Sequence, residues 1–366
     1  MLSLFKKKPQ PEEPLTLKTR VELFWKWYAE VAPRFYETIE KGKCAELATE
    51  VSARVDALLP GFAWVFGPGE NKKGHSFTLS GEGALHRQLL AIYWLSRAPK
   101  LEGWTFHASR QPGSIENARI NIGQKVFNPI EFWLTPSINR ENEKVDITVW
   151  HPLFDILKEK DRWTILFLFL DEALGEYGTQ QSIGEIKLDS ARLADSMPLT
   201  ELLGFVKKVE AEAGWKKYPP GQGGVVYKKS EPHDEFIRGD IWVGSTVNLR
   251  IVNEYAQSKG DLQDPLAGTG ADYVFVSFDA SILPKGKEAT ARGAFEDALR
   301  EALASEFSGQ VLGGALGTKN AYIDLMLFDG KKSLEIVQRV LKEKQLPAGT
   351  EIHFFAKEKR GHRIVL

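Results

Sequence analysis

A chain of 366 residues, 43% hydrophobic and 27% charged, has globular composition and apolar content enough for two or three domains. Its 48 Lys and Arg against 49 Asp and Glu leave no global field to draw in nucleic acid or an anionic membrane. The single cysteine, Cys44, excludes an internal disulfide and a cysteine-based zinc cluster, and fits a reducing compartment.

The first residues place Lys6, Lys7 and Lys8 after the apolar ones and run into Pro9, Pro11 and Pro14, which is not the pattern of a signal peptide. Residues 1–18 read as a disordered leader, a short membrane-touching anchor being the alternative. The longest apolar run, Ile165 to Leu170, falls far short of the ~20 residues that span a bilayer. The chain reads as cytoplasmic.

Residues 19–200 are expected to form a mixed helix and antiparallel-sheet domain, so the fold class is α+β. Val21, Phe24, Trp25, Tyr28, Ala32, Phe35 and Ile39 recur at steps of three and four, predicting a helix over 19–42 with a kink or break at Pro33. A second helix runs from Cys44 to Leu58 and stops at Pro60-Gly61. Strands at 62–66 and 75–79 flank a Gly- and Lys-rich turn, and 84–97 returns to helix. Segments 104–110, 119–127, 131–138 and 144–150 are β-rich and suggest one sheet. A helix over 153–177, buried all round at Ile165 to Leu170, ends near Gly178, and 183–188 adds a strand.

Residues 201–270 read as a small middle segment or linker. A short helix reaches Glu212, a Pro/Gly loop follows from Pro219 to Gly224, and Asp264 to Gly270 marks a boundary. Residues 271–366 alternate as βαββαβ, the ferredoxin-like plan with two helices on one sheet face.

Several blocks resemble a family of bacterial cytosolic proteins without assigned activity. They are Phe24-Trp25-Lys26-Trp27-Tyr28, Pro99 to Trp104, Ala108 to Pro112, and Leu170-Asp171-Glu172-Ala173-Leu174-Gly175-Glu176-Tyr177 followed by Ile183-Gly184. The resemblance covers roughly residues 20–190 and implies kinship, with no catalytic residue carried over.

The weak catalytic candidates are Asp171, Glu172 and Glu176. Glu172 and Glu176 lie four apart, hence on one helix face, and adjoining carboxylates raise one another's pKa. The bland reading is a buried helix surfacing into water. No His-Glu-x-x-His spacing occurs, and no metal or cofactor is expected. His107 and Arg110, three apart on a strand, are expected to point to opposite faces. Lys41 and Lys43 are expected to lower the pKa of Cys44 a little. Gly309 to Lys319 has the order Gly-Thr-Lys between two strands, which is not a phosphate-binding loop.

In the last module alternation puts Val274, Val276, Phe278, Ile323, Leu325 and Leu327 toward the helices. The other face then carries Tyr273, Phe275, Tyr322, Phe328, His353 and Phe355, with Asp324 among them. Such an aromatic face can stack RNA bases, but Asp324 and the balanced charge disfavour nucleic acid. The leading expectation is therefore a non-enzymatic binding or interaction protein that uses this face for domain packing, a protein partner or self-association. The alternatives are an enzyme with its acidic site at Asp171, Glu172 and Glu176, and RNA binding through the aromatic face.

Overall fold

The computed structural model describes residues 14–122 and 125–366. Helices and strands are both abundant, so the class is mixed. The chain falls into two compact units. One, the cleft unit, comprises Trp27–Ala57 and Gly61–Gly223; the other, the sheet unit, comprises the residues up to Lys26, Leu58–Pro60 and Gly224–Leu366. The stretch 201–270 is thus divided between the units at residue 224. Most of the expected leader, residues 1–13, lies outside the described residues.

Helix α1 (Leu17–Glu40) runs through Pro33 without a break, and its first ten residues belong to the sheet unit. In the cleft unit it is followed by a short turn at Cys44–Leu47 and by α2 (Ala48–Leu58). Cys44 sits in that turn rather than in a helix, and burial pushes its thiol pKa up, opposite to the expected effect of the nearby lysines. Strands β1 (Ala63–Pro68) and β2 (His75–Ser80) pair antiparallel. Helix α3 (Leu85–Ser96) then carries the chain back so that β3 (Trp104–His107) joins β2 in parallel.

This three-stranded sheet has two unlike faces. Phe77, Trp104 and Phe106 pack around Tyr28 of α1, with ring centroids 5.2–5.4 Å apart. The alternate positions Ser76, Thr78, Thr105 and His107 face the other way, with Thr78 opposite His107 and Ser76 opposite Thr105.

Strands β4 (Ile120–Ile122) and β5 (Lys125–Phe127) pair only with each other. Strands β6 (Trp133–Asn139) and β7 (Lys144–Trp150) form a hairpin. Helices α4 (Glu159–Leu174) and α5 (Glu176–Ser182) lead to β8 (Ile183–Leu188), which lies parallel to β7, and β9 (Met197–Pro198) pairs with β6. The β-rich segments between 104 and 150 therefore belong to three sheets, not one. Leu134, Val145, Ile147 and Val149 pack with Ile165, Leu166 and Phe169 of α4 and Val206 of α6 (Leu202–Ala213). Phe167 is 44% exposed, so α4 is not buried all round. It ends at Gly175, three residues earlier than expected, where φ is +75° and a Cβ would stand 2.8 Å from Pro112 Cδ.

The sheet unit adds β10 (Val225–Lys228), β11 (Ile241–Thr246), α7 (Leu249–Gln257), β12 (Asp272–Asp279), α8 (Glu288–Ser305), β13 (Gly309–Gly317) and β14 (Asn320–Leu327). Then come α9 (Gly330–Glu343), β15 (Glu351–Phe354) and β16 (Ile364–Val365). One antiparallel sheet results, in the order β10-β11-β13-β14-β12-β15-β16. Val274, Val276, Ile323, Leu325 and Ile352 meet Leu299 and Leu303 of α8 and Val337 and Leu341 of α9.

The opposite face is covered within the unit. Arg238 lies 4.9–5.1 Å from the ring centroids of Phe275, Tyr322 and Phe355, and Tyr255 packs on Phe275 and Phe355. Arg238 holds both carboxylate oxygens of Asp324, Nη2 to Oδ2 at 3.0 Å, with both side chains at most 2% exposed. Tyr322 Oη donates to Asp240 Oδ1 at 2.5 Å.

The start of α1 is capped by the same unit. Leu17 N–H donates to Gly270 O at 2.9 Å and Lys18 N–H to Phe328 O at 2.8 Å, so two of the orphan donors of a helix N-terminus are satisfied by distant backbone. Ordered helix thus begins at Leu17, inside the expected leader. Among the described residues no helix is long and apolar enough to cross a membrane.

Candidate functional site

The three carboxylates grouped by their spacing in the sequence do not act together. The break at Gly175 ends the shared helix face. Glu176, on α5, is 3% exposed. Its carboxylate accepts from Ser80 Oγ at 2.7 Å, Gln88 Nε2 at 2.9 Å, Gly83 N–H at 3.1 Å and Arg110 N–H at 3.4 Å. Four donors leave it no free lone pair for chemistry; it ties β2, α3 and the segment after β3 to α5.

Asp171 and Glu172, on the last turn of α4, instead line a cleft of about 1030 Å³. Its other side is the polar face of the three-stranded sheet, with Ser76, Thr78, Thr105 and His107, and the loop Gly69–Lys72 borders it. Asn71 and Lys72 in that loop both take left-handed backbone, φ 54° and 60°, which is uncommon for residues with a side chain. Arg110 lies beyond the end of β3, so the alternation of a strand does not govern it, and it lines the same cleft as His107.

Glu172 is held by the segment after β3. A Cβ on Gly113 would lie 1.8 Å from Glu172 Oε1, so only glycine lets the carboxylate rest against this backbone, and Gly113 N–H donates to Glu172 O at 2.8 Å. Burial raises the Glu172 pKa, while a hydrogen bond from the Ser114 backbone and the charge of Arg110 pull it back. Asp171 is pushed up to about 6. Burial is the main cause; Thr179 and Arg110 oppose it, and Glu176 and Glu82 add repulsion. Arg110 Nη2 is engaged by Glu82 at 2.8 Å. Asp171 also borders a second cavity of about 390 Å³ on its other side, with Glu82, Phe167 and Thr179. Across the cleft burial lowers the pKa of His107, Glu70 opposing it, so the imidazole is neutral at physiological pH.

Ser76 and Thr78 are each 4% exposed, yet neither hydroxyl has a hydrogen-bond partner among the described residues. The residues are buried but their hydroxyl oxygens are not, so both open onto the water of the cleft, where a ligand can replace that water. Sequence reasoning missed them, although the alternation Ser76-Phe77-Thr78-Leu79-Ser80 carries the signal. A second groove, about 830 Å³ beside Ala32, Pro33 and Tyr36, is different: its charged groups Glu37, Lys73 and Glu102 are all exposed.

The aromatic face of the last module is not an open surface. Tyr273, Phe275, Tyr322, Phe328 and Phe355 are buried and His353 is nearly so, with Arg238 and Tyr255 packed over Phe275, Tyr322 and Phe355. Asp324 is matched by its own arginine. No group of three or more His, Cys, Asp or Glu able to hold a metal occurs among the described residues. Compared with models of known protein families, with curated proteins and with solved structures, the chain matches none.

Proposed function

We propose that the chain is a non-enzymatic binding protein whose ligand is a small polar molecule seated in the cleft lined by Ser76, Thr78, His107, Asp171 and Glu172. The observation that carries this reading is the pair of hydroxyls with no partner among the described residues that open into the cleft opposite two partly desolvated carboxylates. Concave sites with a few convergent polar groups are where ligands bind by default. The covered aromatic face supports a structural role for that sheet over the stacking of RNA bases or of a second copy of the chain there.

The order of β12, β13, β14 and β15, with α8 and α9 on one face, supports a ferredoxin-like module widened by strands at both edges. The lone half-buried Cys44 supports a cytoplasmic setting.

Thr78→Phe fills the cleft from the sheet side. In a screen of small polar compounds against the full chain, any compound that raises its melting temperature is expected to lose that effect in Thr78→Phe. Ligand-induced stabilisation that survives this substitution places the ligand elsewhere and removes the reading.

The raised pKa of Asp171, about 6, favours a second reading, an enzyme that uses this carboxyl as proton donor or acceptor. Turnover of the bound compound that follows an ionisation near pH 6 and vanishes in Asp171→Asn establishes it. Recovery of the compound unchanged ends it.

A further inference from the structure

We infer that the cleft takes a ligand bearing a positively charged amino or guanidino group, bound at Asp171 and Glu172 with its remainder over Ser76, Thr78 and His107. This rests on the cleft being the ligand site. The argument is one of missing partners. The sheet unit buries Asp324 and pairs it with Arg238; the cleft unit half-buries Asp171 and gives it a hydrogen bond from Thr179 and the charge of Arg110, but no salt bridge of its own. The nearest guanidinium, Arg110, is bonded to Glu82. Lys72, on the border loop, is exposed to water.

The groups that converge on the cleft are acceptors or can accept. Two carboxylates have only lone pairs to offer, the two open hydroxyls can each accept, and a neutral imidazole accepts at one nitrogen. An ammonium or guanidinium has only donors, so it matches this set without leaving a cleft group unsatisfied. A phosphate or carboxylate ligand meets two like charges in a partly desolvated site, where repulsion is strong. A neutral polyol would satisfy the hydroxyls but leave the desolvated carboxylates without a counter-charge.

Calorimetric titration of the full chain tests this, with agmatine and spermidine as cationic probes and inositol and citrate as neutral and anionic ones. Agmatine or spermidine is expected to bind at pH 7.5. At pH 5, where Asp171 is protonated, binding is expected to be at least tenfold weaker. Asp171→Asn is expected to lose at least tenfold at pH 7.5 and to flatten the pH dependence. The charged and titratable groups that face this carboxyl are Glu172 on its own helix, Glu176 on α5, Glu82 and Arg110 on the adjoining loops, and Glu70 and His107 across the cleft, with the Thr179 hydroxyl as a hydrogen-bond donor.

Inositol or citrate binding that Thr78→Phe abolishes, with agmatine and spermidine inert, overturns the cationic ligand and leaves the cleft site standing. Cation binding indifferent to both Asp171→Asn and Thr78→Phe overturns the inference. Failure of all four compounds to bind overturns the cationic inference alone, because the cleft reading rests on the separate screen with Thr78→Phe.

Discussion

Asp324 in the sheet unit is buried and Asp171 in the cleft unit is half-buried between two cavities, and the chain treats the two carboxylates in opposite ways. Asp324 receives both nitrogens of the Arg238 fork, and the guanidinium itself lies over three aromatic rings. Arg238 even adopts a left-handed φ of 75° within this network, strain that the surrounding contacts hold in place. Asp171 has a cavity on either side, two acidic neighbours, and a nearby arginine bonded to Glu82. A buried charge with a complete set of partners stabilises one arrangement of the chain. A partly buried charge without one keeps a desolvation cost that a ligand of opposite charge can offset. The comparison teaches that a carboxylate's partners and burial together separate framework from site.

The largest expected effect comes from breaking the complete pair. Arg238→Met leaves Asp324 buried and unmatched and is expected to cost about 3–5 kcal/mol in denaturant unfolding. Arg238→Met combined with Asp324→Leu removes both charges and is expected to recover most of that loss. A single substitution that costs under about 1 kcal/mol means that water reaches Asp324, and the contrast with Asp171 dissolves.

Glu176 comes next, as a buried carboxylate satisfied by four donors instead of a cation. Glu176→Gln keeps the shape but turns an amide donor toward existing donors, for an expected loss of about 1–3 kcal/mol. Hydrogen exchange at Gly83 and Arg110 should quicken in step, because their backbone N–H groups donate to this carboxylate.

Asp171→Asn should do the reverse and stabilise the chain. The folded pKa, about 6, lies above the ordinary 3.8, so the folded chain holds this proton more tightly than the unfolded one. The group's favourable contribution is full below 3.8 and is lost as pH rises through 6. The neutral amide escapes that loss and is expected to gain about 1–2 kcal/mol at pH 7, with the gain gone below pH 4. Equal stability of the two proteins at pH 7 and pH 4 would show that Asp171 has a counter-charge after all.

The smallest effect belongs to the open hydroxyls. Ser76→Ala and Thr78→Val remove groups with no partner in the chain and are expected to shift stability by no more than about 0.5 kcal/mol. Ligand binding should suffer far more than folding. A stability loss above 2 kcal/mol would mean that these hydroxyls serve the fold.

The sheet unit was the more legible half. Its last strands alternate aliphatic and aromatic residues with period two, so both faces can be read from Tyr273 to Phe278 and from Ala321 to Phe328 without any distant information. Its covering was not legible, because Arg238 sits 86 residues from Asp324 in a polar stretch without periodicity. Strand β10 and helix α7 were missed for the same reason: each is short and takes its stability from the sheet it packs on.

In the cleft unit the acidic triplet was found by spacing and then misgrouped, since one glycine at 175 turns Glu176 away from Glu172. The polar sheet face was written in Ser76, Thr78, Thr105 and His107. Its meaning depended on β3 lying parallel to β2, a pairing made by the helix between them and invisible to any local pattern.

The capping of α1 bears on how the chain is made. Leu17 and Lys18 leave the ribosome early, but the carbonyls that receive their N–H groups belong to Gly270 and Phe328, which are synthesised much later. Chains grow from the N-terminus and units fold as they emerge. The first turn of α1, with the buried Leu17, Val21 and Phe24 beside it, therefore waits uncapped until Gly270 and Phe328 have emerged. A chain truncated before Phe328 never completes that cap, so those apolar side chains stay available to chaperones and proteases that sort unfinished protein.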